Sequence, residues 1–176
     1  MEKIIKAFCY SRTSKNKLFL LVWQRLRYCY FANDLTTMHI LMAYDDKDDF
    51  YIFQRAVQKA CESLKISYAA NWLELLRFIV KTLPDVLFID MNMPVKNGIE
   101  CLQLLREDRK YDKVPIIMYS TSVSKNDIDK AYSNGANYFI VKPNTIEDIA
   151  DMIKKICSMG KDALQSIPPR EEFVII

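Results

Sequence analysis

The chain contains only three glycines in 176 residues. A loop that cradles nucleotide phosphates needs several glycines close together, so that backbone N–H groups can approach the ligand. No such loop can be drawn from these three, and the scarcity of glycine argues against a nucleotide-binding protein.

Cysteine pairs and histidine clusters are also missing. The five cysteines are odd in number and form no Cys-x-x-Cys pair, which argues against a disulfide framework or a zinc site. Unpaired cysteines fit a reducing compartment, and we expect a cytoplasmic protein. The single histidine is His39, so a serine–histidine–aspartate triad would have to use it alone.

Positive charge is in excess only in the first part of the chain. Residues 1–37 hold seven Lys or Arg and two acids, whereas residues 38–176 hold eighteen basic and twenty acidic residues. The main body is therefore not a basic nucleic-acid binder, and we expect no nucleic-acid partner.

No apolar run reaches the roughly 20 residues that a membrane-spanning helix needs. Residues 18–31 come nearest, but Gln24, Arg25 and Arg27 interrupt them, and no small-residue cleavage site of a signal peptide is present. One hypothesis is an interfacial amphipathic helix that contacts a membrane through its basic residues. We favour the alternative that residues 1–37 are an N-terminal extension outside the fold, with Met38 as the natural start.

From residue 38 onward, strand-like and helix-like patterns alternate five times. Apolar runs predict strands over Ile40–Tyr44, Ile66–Ala70, Val86–Ile89, Ile116–Ser120 and Tyr138–Val141. Apolar residues at helical spacing predict helices near Asp48–Leu64, Trp72–Val80, Ile99–Leu105, Ser124–Asn134 and Thr145–Cys157. This alternation is typical of an α/β domain with a parallel sheet covered on both faces. We expect the domain over residues 38–160 and a tail over 161–176, whose last apolar residues can pack on it.

Reactive polar residues end four of the five predicted strands. Asp45 and Asp46 follow the first, Asp90 the third, Ser120 closes the fourth and Lys142 follows the fifth. The carboxyl ends of parallel strands form the ligand-binding edge of an open sheet. Three acids suit Mg²⁺, an ammonium binds phosphate, and a hydroxyl donates to a phosphoryl oxygen. Asp90 is then a candidate nucleophile that forms an aspartyl phosphate.

Four ordered motifs resemble those of the receiver domains of two-component response regulators, in particular single-domain chemotaxis regulators. They are ILMAYDD at 40–46, PDVLFIDMNMP at 84–94 with NG at 97–98, PIIMYST at 115–121, and NGA at 134–136 with YFIVKP at 138–143. The resemblance extends over residues 38–159. It implies a doubly wound, flavodoxin-like sheet of five parallel strands in the order 2-1-3-4-5, with five flanking helices.

The resemblance implies how the site works. Asp90 would be the phosphoacceptor, and Lys142 would pair with the phosphoryl group. Mg²⁺ would be held by Asp45, Asp46 and Asp90 together with the backbone carbonyl of Asn92.

The resemblance also implies a switch. Ser120 would move toward the phosphoryl group, the Phe139 ring would turn inward, and the Lys142–Pro143 bond would be cis. Tyr44 is bulkier than the usual residue before the acidic pair, and Thr121 replaces a usually small residue. Phe139 also lacks the hydroxyl of a tyrosine.

The implied function is a phosphoacceptor signalling domain rather than an enzyme, with only self-phosphorylation and slow self-dephosphorylation. The donor would be a sensor histidine kinase or a histidine phosphotransfer protein. The downstream protein would bind the face of the fourth helix, fifth strand and fifth helix. A degenerate receiver that binds partners without phosphorylation is an alternative that Tyr44 and Thr121 leave open. A hydrolase of the haloacid-dehalogenase kind is disfavoured because its Asp-x-Asp is replaced by adjacent Asp45 and Asp46.

Overall fold

The computed structural model describes residues 38–61 and 64–175. They form a fully parallel sheet in the order β2-β1-β3-β4-β5-β6. The strands are β1 His39–Ala43, β2 Lys65–Ala69, β3 Val86–Asp90, β4 Ile116–Ser120, β5 Tyr138–Val141 and β6 Val174–Ile175. The predicted flavodoxin-like order 2-1-3-4-5 is confirmed, and β6 adds a short sixth strand beside β5.

Helices connect the strands and cover both faces of the sheet. They are α1 Lys47–Ala60, α2 Trp72–Lys81, α3 Gly98–Glu107, α4 Lys125–Ser133, α5 Ile146–Met159 and the short α6 Lys161–Gln165. The first five match the predicted helices, and α6 is an addition. In the described part of the chain, no helix is both long and apolar enough to cross a membrane. The interfacial helix considered for residues 1–37 lies outside the described residues.

Two apolar layers enclose the sheet, so its central strands are buried on both faces. Along β3, Phe88 faces the layer of α1 and α5, whereas Leu87 and Ile89 face the layer of α2, α3 and α4. Every residue of β3 and β4 is buried, which explains why their sequences are continuous apolar runs. This packing fixes the carboxyl ends of the strands, where the candidate site lies.

Residues 161–175, which the sequence suggested as a tail, pack on this domain. Phe173 is fully buried, and the backbone N–H of Phe139 donates to its carbonyl at 3.0 Å. The side-chain amide of Asn137 donates to the carbonyl of Gln165 at 2.9 Å. A two-residue strand and a five-residue helix are too short to produce a periodic pattern, so the sequence predicted neither.

Candidate phosphoacceptor site

Asp90 and Lys142 form an ion pair at the carboxyl ends of β3 and β5. Lys142 Nζ lies 3.1 Å from Asp90 Oδ1, and the two side chains are 13% and 3% exposed. The backbone N–H of Lys142 donates to the carbonyl of Ser120 at 2.8 Å, so the end of β4 fixes where the lysine leaves the sheet. The structure therefore brings together the carboxylate and the ammonium that the strand ends predicted, and places Ser120 at the end of the strand between them.

Burial raises the pKa of the Asp90 carboxyl above its ordinary range. Lys142 and a hydrogen bond from the backbone of Asn92 oppose this change, whereas the charge of Asp45 adds to it. Asp90 Oδ1 is within ion-pair distance of Lys142 but receives no aligned hydrogen bond. The ammonium of Lys142 thus offsets part of the cost of burying this oxygen.

Gly98 allows the loop after β3 to pass directly over the backbone of Asp90. Its N–H donates to the carbonyl of Met91 at 3.0 Å. A Cβ at position 98 would lie 2.2 Å from the backbone oxygen of Asp90 and 2.8 Å from Met91 Cα. Only glycine fits this approach. The loop is fixed on its other side by Asn97, whose side chain caps α3 through the N–H of Glu100 at 2.9 Å.

Asp45 and Asp46, the predicted metal ligands, lie in different environments. Asp46 Oδ1 caps α1 by accepting hydrogen bonds from the N–H groups of Asp48, at 2.8 Å, and Asp49, at 3.3 Å. Asp45 is exposed and close enough to Asp90 to influence its pKa. Across residues 38–61 and 64–175, no three His, Cys, Asp or Glu side chains are gathered closely enough to enclose a metal ion.

This oxygen set fits a hard cation that keeps much of its water shell. Asp90 offers a buried oxygen without an aligned hydrogen bond, and a cation would relieve its repulsion with Asp45. Mg²⁺ in proteins is commonly held by one or two carboxylates and several waters. An open edge with two neighbouring carboxylates therefore suits such an ion better than a closed protein cage would.

Ser120 is fully buried at the end of β4. Its hydroxyl oxygen accepts a hydrogen bond from the N–H of Ser122 at 3.1 Å. The Ser122 hydroxyl in turn donates to Asp127 Oδ2 at 2.6 Å, in the first turn of α4. The predicted switch hydroxyl is thus connected to α4 through two hydrogen bonds.

The family model of the response regulator receiver domain matches residues 40–154. The chain belongs to this family. Receiver domains are signalling domains of two-component systems.

Similar proteins include both chemotaxis and light-signalling regulators. The chain is 36% identical over 75 residues to a chemotaxis protein CheY homologue of Campylobacter jejuni, covering 43% of this chain and 58% of that protein. It therefore spans less than two thirds of that relative. The response regulator RPA3017 in red light signalling of R. palustris has a TM-score of 0.66 and 27% identity, covering 75% of this chain and 99% of that chain. The Mn²⁺-bound form of the response regulator Rcp1, at 20% identity, has a TM-score of 0.62 with the same coverage and shows the shared fold.

Tyr44 and Asp49 belong to this receiver site although the sequence did not identify a role for them. Lys142 Nζ donates to the Tyr44 hydroxyl at 2.9 Å, and the hydroxyl donates to Asp49 Oδ2. The ammonium also lies 4.0 Å from the ring centroid of Tyr44 and 5.4 Å from that of Tyr119. Burial, with the neighbouring Asp49, raises the pKa of Tyr44, so its hydroxyl keeps its proton. The bulky residue before the acidic pair is therefore a partner of the lysine.

Phe139, the predicted switch residue, is fully buried in the layer that contains α4. Phe173 from the C-terminal residues lies in the same layer. The rotation of the Phe139 ring on phosphorylation stays a prediction.

The Lys142–Pro143 bond is trans, like every other peptide bond among the described residues. The cis form implied by the resemblance is therefore wrong for this structure. The trans isomer of an X–Pro bond is preferred by about 0.5–1 kcal/mol unless the surroundings impose the other form.

Proposed function

We propose that this receiver accepts a phosphoryl group on Asp90 from a sensor histidine kinase or a histidine phosphotransfer protein. A carboxylate oxygen of Asp90 attacks the phosphorus, a P–O bond forms and the P–N bond breaks. The released electron pair stays on the imidazole nitrogen, which takes up a proton. The buried ion pair of Asp90 and Lys142 at 3.1 Å carries this proposal, because an ammonium beside the nucleophile can bind a phosphoryl oxygen.

We assign Mg²⁺ to the carboxylates of Asp45, Asp46 and Asp90 and to the backbone carbonyl of Asn92. Asp46 Oδ1 is engaged at the start of α1, so the assignment uses its Oδ2. When bound, the ion neutralises charge on the phosphoryl oxygens during transfer. The Mn²⁺-bound form of the Rcp1 regulator supports a divalent cation in this fold.

The phosphoryl group would be read through α4 and β5. It adds about two negative charges, which attract the Ser120 hydroxyl and the Lys142 ammonium. Movement of Ser120 would break its hydrogen bond with the N–H of Ser122, the residue whose hydroxyl contacts Asp127 of α4. We propose that this shifts a pre-existing equilibrium of Phe139 and that a downstream protein binds the face of α4, β5 and α5. Residues 38–160 would carry this function in the cytoplasm.

A receiver that binds partners without phosphorylation is the second candidate. Two observations favour it: the Tyr44 hydroxyl already occupies Lys142, and Asp46 already caps α1. In such a protein, Lys142 and the acidic pair would stabilise one fixed conformation of the same binding face.

Intact-mass analysis of the full chain with acetyl phosphate and Mg²⁺ separates the two candidates. We expect a phosphate-sized mass gain that decays slowly after the donor is removed, and no gain in Asp90→Asn. An equal gain in both proteins would refute Asp90 as the acceptor. No gain in either protein, together with no binding of Mg²⁺, would favour the receiver that works without phosphorylation.

A further inference from the structure

The edge of β5 is covered by residues 168–175 of the same chain, which we term the C-terminal segment. Within it, β6 runs parallel to β5, with Phe139 opposite Val174 and Ile140 opposite Ile175. The N–H of Phe139 donates to the carbonyl of Phe173 at 3.0 Å. The main-chain groups of β5 therefore bind an extended segment in the way that sheets bind peptides by strand addition.

An aromatic side chain anchors the C-terminal segment. Phe173 is fully buried, and its ring lies edge-on to Tyr132 of α4 with centroids 5.0 Å apart. The Tyr132 hydroxyl donates to the carbonyl of Pro168 at 3.3 Å. The space between α4 and β5 is thus shaped to accept an aromatic ring.

A guanidinium provides the second anchor. Arg170 Nη2 and Nε donate to Asp129 Oδ1 at 2.6 and 3.1 Å. Its Cζ also lies 5.8 Å from the ring centroids of both Tyr132 and Phe173. The surface therefore recognises an arginine that precedes the aromatic residue by three positions.

Phe173 is the main apolar anchor, and Pro168 and Ile175 are buried as well. Glu171 and Glu172, between the anchors, are exposed, and β6 has only two residues. The side chains of Arg170 and Asp129 are 37% and 46% exposed, and ion pairs at such exposure contribute little to stability. A competing segment with the same anchors could therefore replace the C-terminal segment.

We propose that the edge of β5 together with α4 is a docking site for an extended segment of a partner protein. That segment carries an arginine three residues before an aromatic residue, followed by β-branched residues. The chain's own C-terminal segment has this chemistry and competes for the site. Phe139 pairs with Val174 of the segment, so phosphorylation could control the docking; that control rests on the proposed function. The binding itself does not require the phosphoryl group.

The first test uses the full chain with Phe173→Ala, which removes the aromatic anchor. The probe is a fluorescent peptide with the sequence of residues 168–175. We expect the variant to bind the peptide at least about tenfold more tightly than the wild type, because the wild-type segment keeps most sites closed. A peptide in which alanine replaces the phenylalanine should bind neither protein. Equal affinity of both proteins, or affinity independent of that phenylalanine, would overturn the proposal.

A second variant, Arg170→Ala, leaves the apolar core intact and covers the case in which Phe173→Ala does not fold, as judged by circular dichroism. Because the exposed ion pair that it removes contributes little, this variant should bind the peptide only about two- to fivefold more tightly than the wild type, and a peptide lacking its arginine should bind it more weakly. No gain over the wild type in this variant would contradict the proposal. Phosphate uptake, measured by intact mass on the same samples, is independent. Lost uptake with retained peptide binding refutes the phosphoacceptor role alone, and the reverse refutes the docking site alone.

Discussion

Lys142 donates a hydrogen bond to the hydroxyl of Tyr44, 2.9 Å away, and its ammonium lies over the face of the same ring. Tyr44 is in turn held by Asp49 of α1. The lysine of this receiver is therefore positioned from two sides, by Asp90 and by a tyrosine that the family resemblance marked only as unusually large.

Replacing Tyr44 with phenylalanine removes the hydroxyl and keeps the ring. We expect phosphate uptake from acetyl phosphate to become about fivefold slower, since a lost hydrogen bond of this kind is worth ~1 kcal/mol. The measurement is a time course of intact mass with saturating Mg²⁺. Tyr51→Phe is the matched control, because Tyr51 is 57% exposed on α1. An unchanged rate in Tyr44→Phe would show that the hydrogen bond does not prepare the lysine for transfer.

The buried carboxyl of Asp90 should make stability depend on pH. Burial raises its pKa in the folded protein above the ordinary value of 3.8. Because folding raises its pKa, this carboxyl stabilises the folded protein in its protonated form. The stabilisation is fully present below the pKa of the unfolded protein and is lost as the pH rises through the pKa of the folded protein. The free energy of unfolding of the wild type should therefore fall relative to that of Asp90→Asn as the pH rises above about 4.

Urea denaturation of both proteins in EDTA measures this difference. A difference that stays constant as the pH rises, or one that grows in favour of the wild type, would show that Lys142 and the backbone of Asn92 outweigh burial.

Gly98→Ala should destabilise the protein by about 3 kcal/mol, because the added Cβ meets backbone atoms that cannot move independently. The nearest is the carbonyl oxygen of Asp90, at 2.2 Å. Gly135→Ala is the control: unlike Gly98, Gly135 has a positive φ, of 83°, but the atoms nearest to its added Cβ lie 3.6 Å away, at an ordinary contact distance. It should cost only ~1 kcal/mol for the backbone conformation. Equal losses in chemical denaturation would mean that the loop after β3 can move aside.

Val95 adopts a φ of 72°, in the left-handed region, and is 87% exposed. A β-branched side chain is unfavourable there, whereas asparagine tolerates it. We expect Val95→Asn to raise the free energy of unfolding by about 0.5–1 kcal/mol. Val123→Asn, at a residue that is 75% exposed and has an ordinary φ, should change little. A loss of stability in Val95→Asn would show that the valine side chain makes a compensating contact.

The sequence predicted the central architecture because the spacing of apolar residues and the positions of turn residues agreed along most of the chain. Continuous apolar runs identified β3 and β4, which are buried on both faces, and a reactive polar residue ended four of the five predicted strands. Asp90, Ser120 and Lys142 could thus be placed on one edge before any distance was known.

Features that depend on side-chain direction could not be predicted. Nothing in the spacing of Tyr44 and Asp49 signals their hydrogen bond, because one follows a strand and the other begins a helix. An aspartate at position 46 is as typical of a metal ligand as of a helix cap, and only the structure shows that Asp46 caps α1. The parallel pairing of Val174 was equally hidden, since a short apolar ending does not indicate which edge of a sheet it will join.

The two-residue β6 also replaces the four-residue β5 as the outer edge on its side of the sheet. Long apolar edges pair with other chains and promote aggregation, whereas very short ones do not. Solubility at high concentration therefore depends on the same residues that occupy the edge of β5. A variant that releases them will expose the unpaired strand Tyr138–Val141 and should self-associate as its concentration rises.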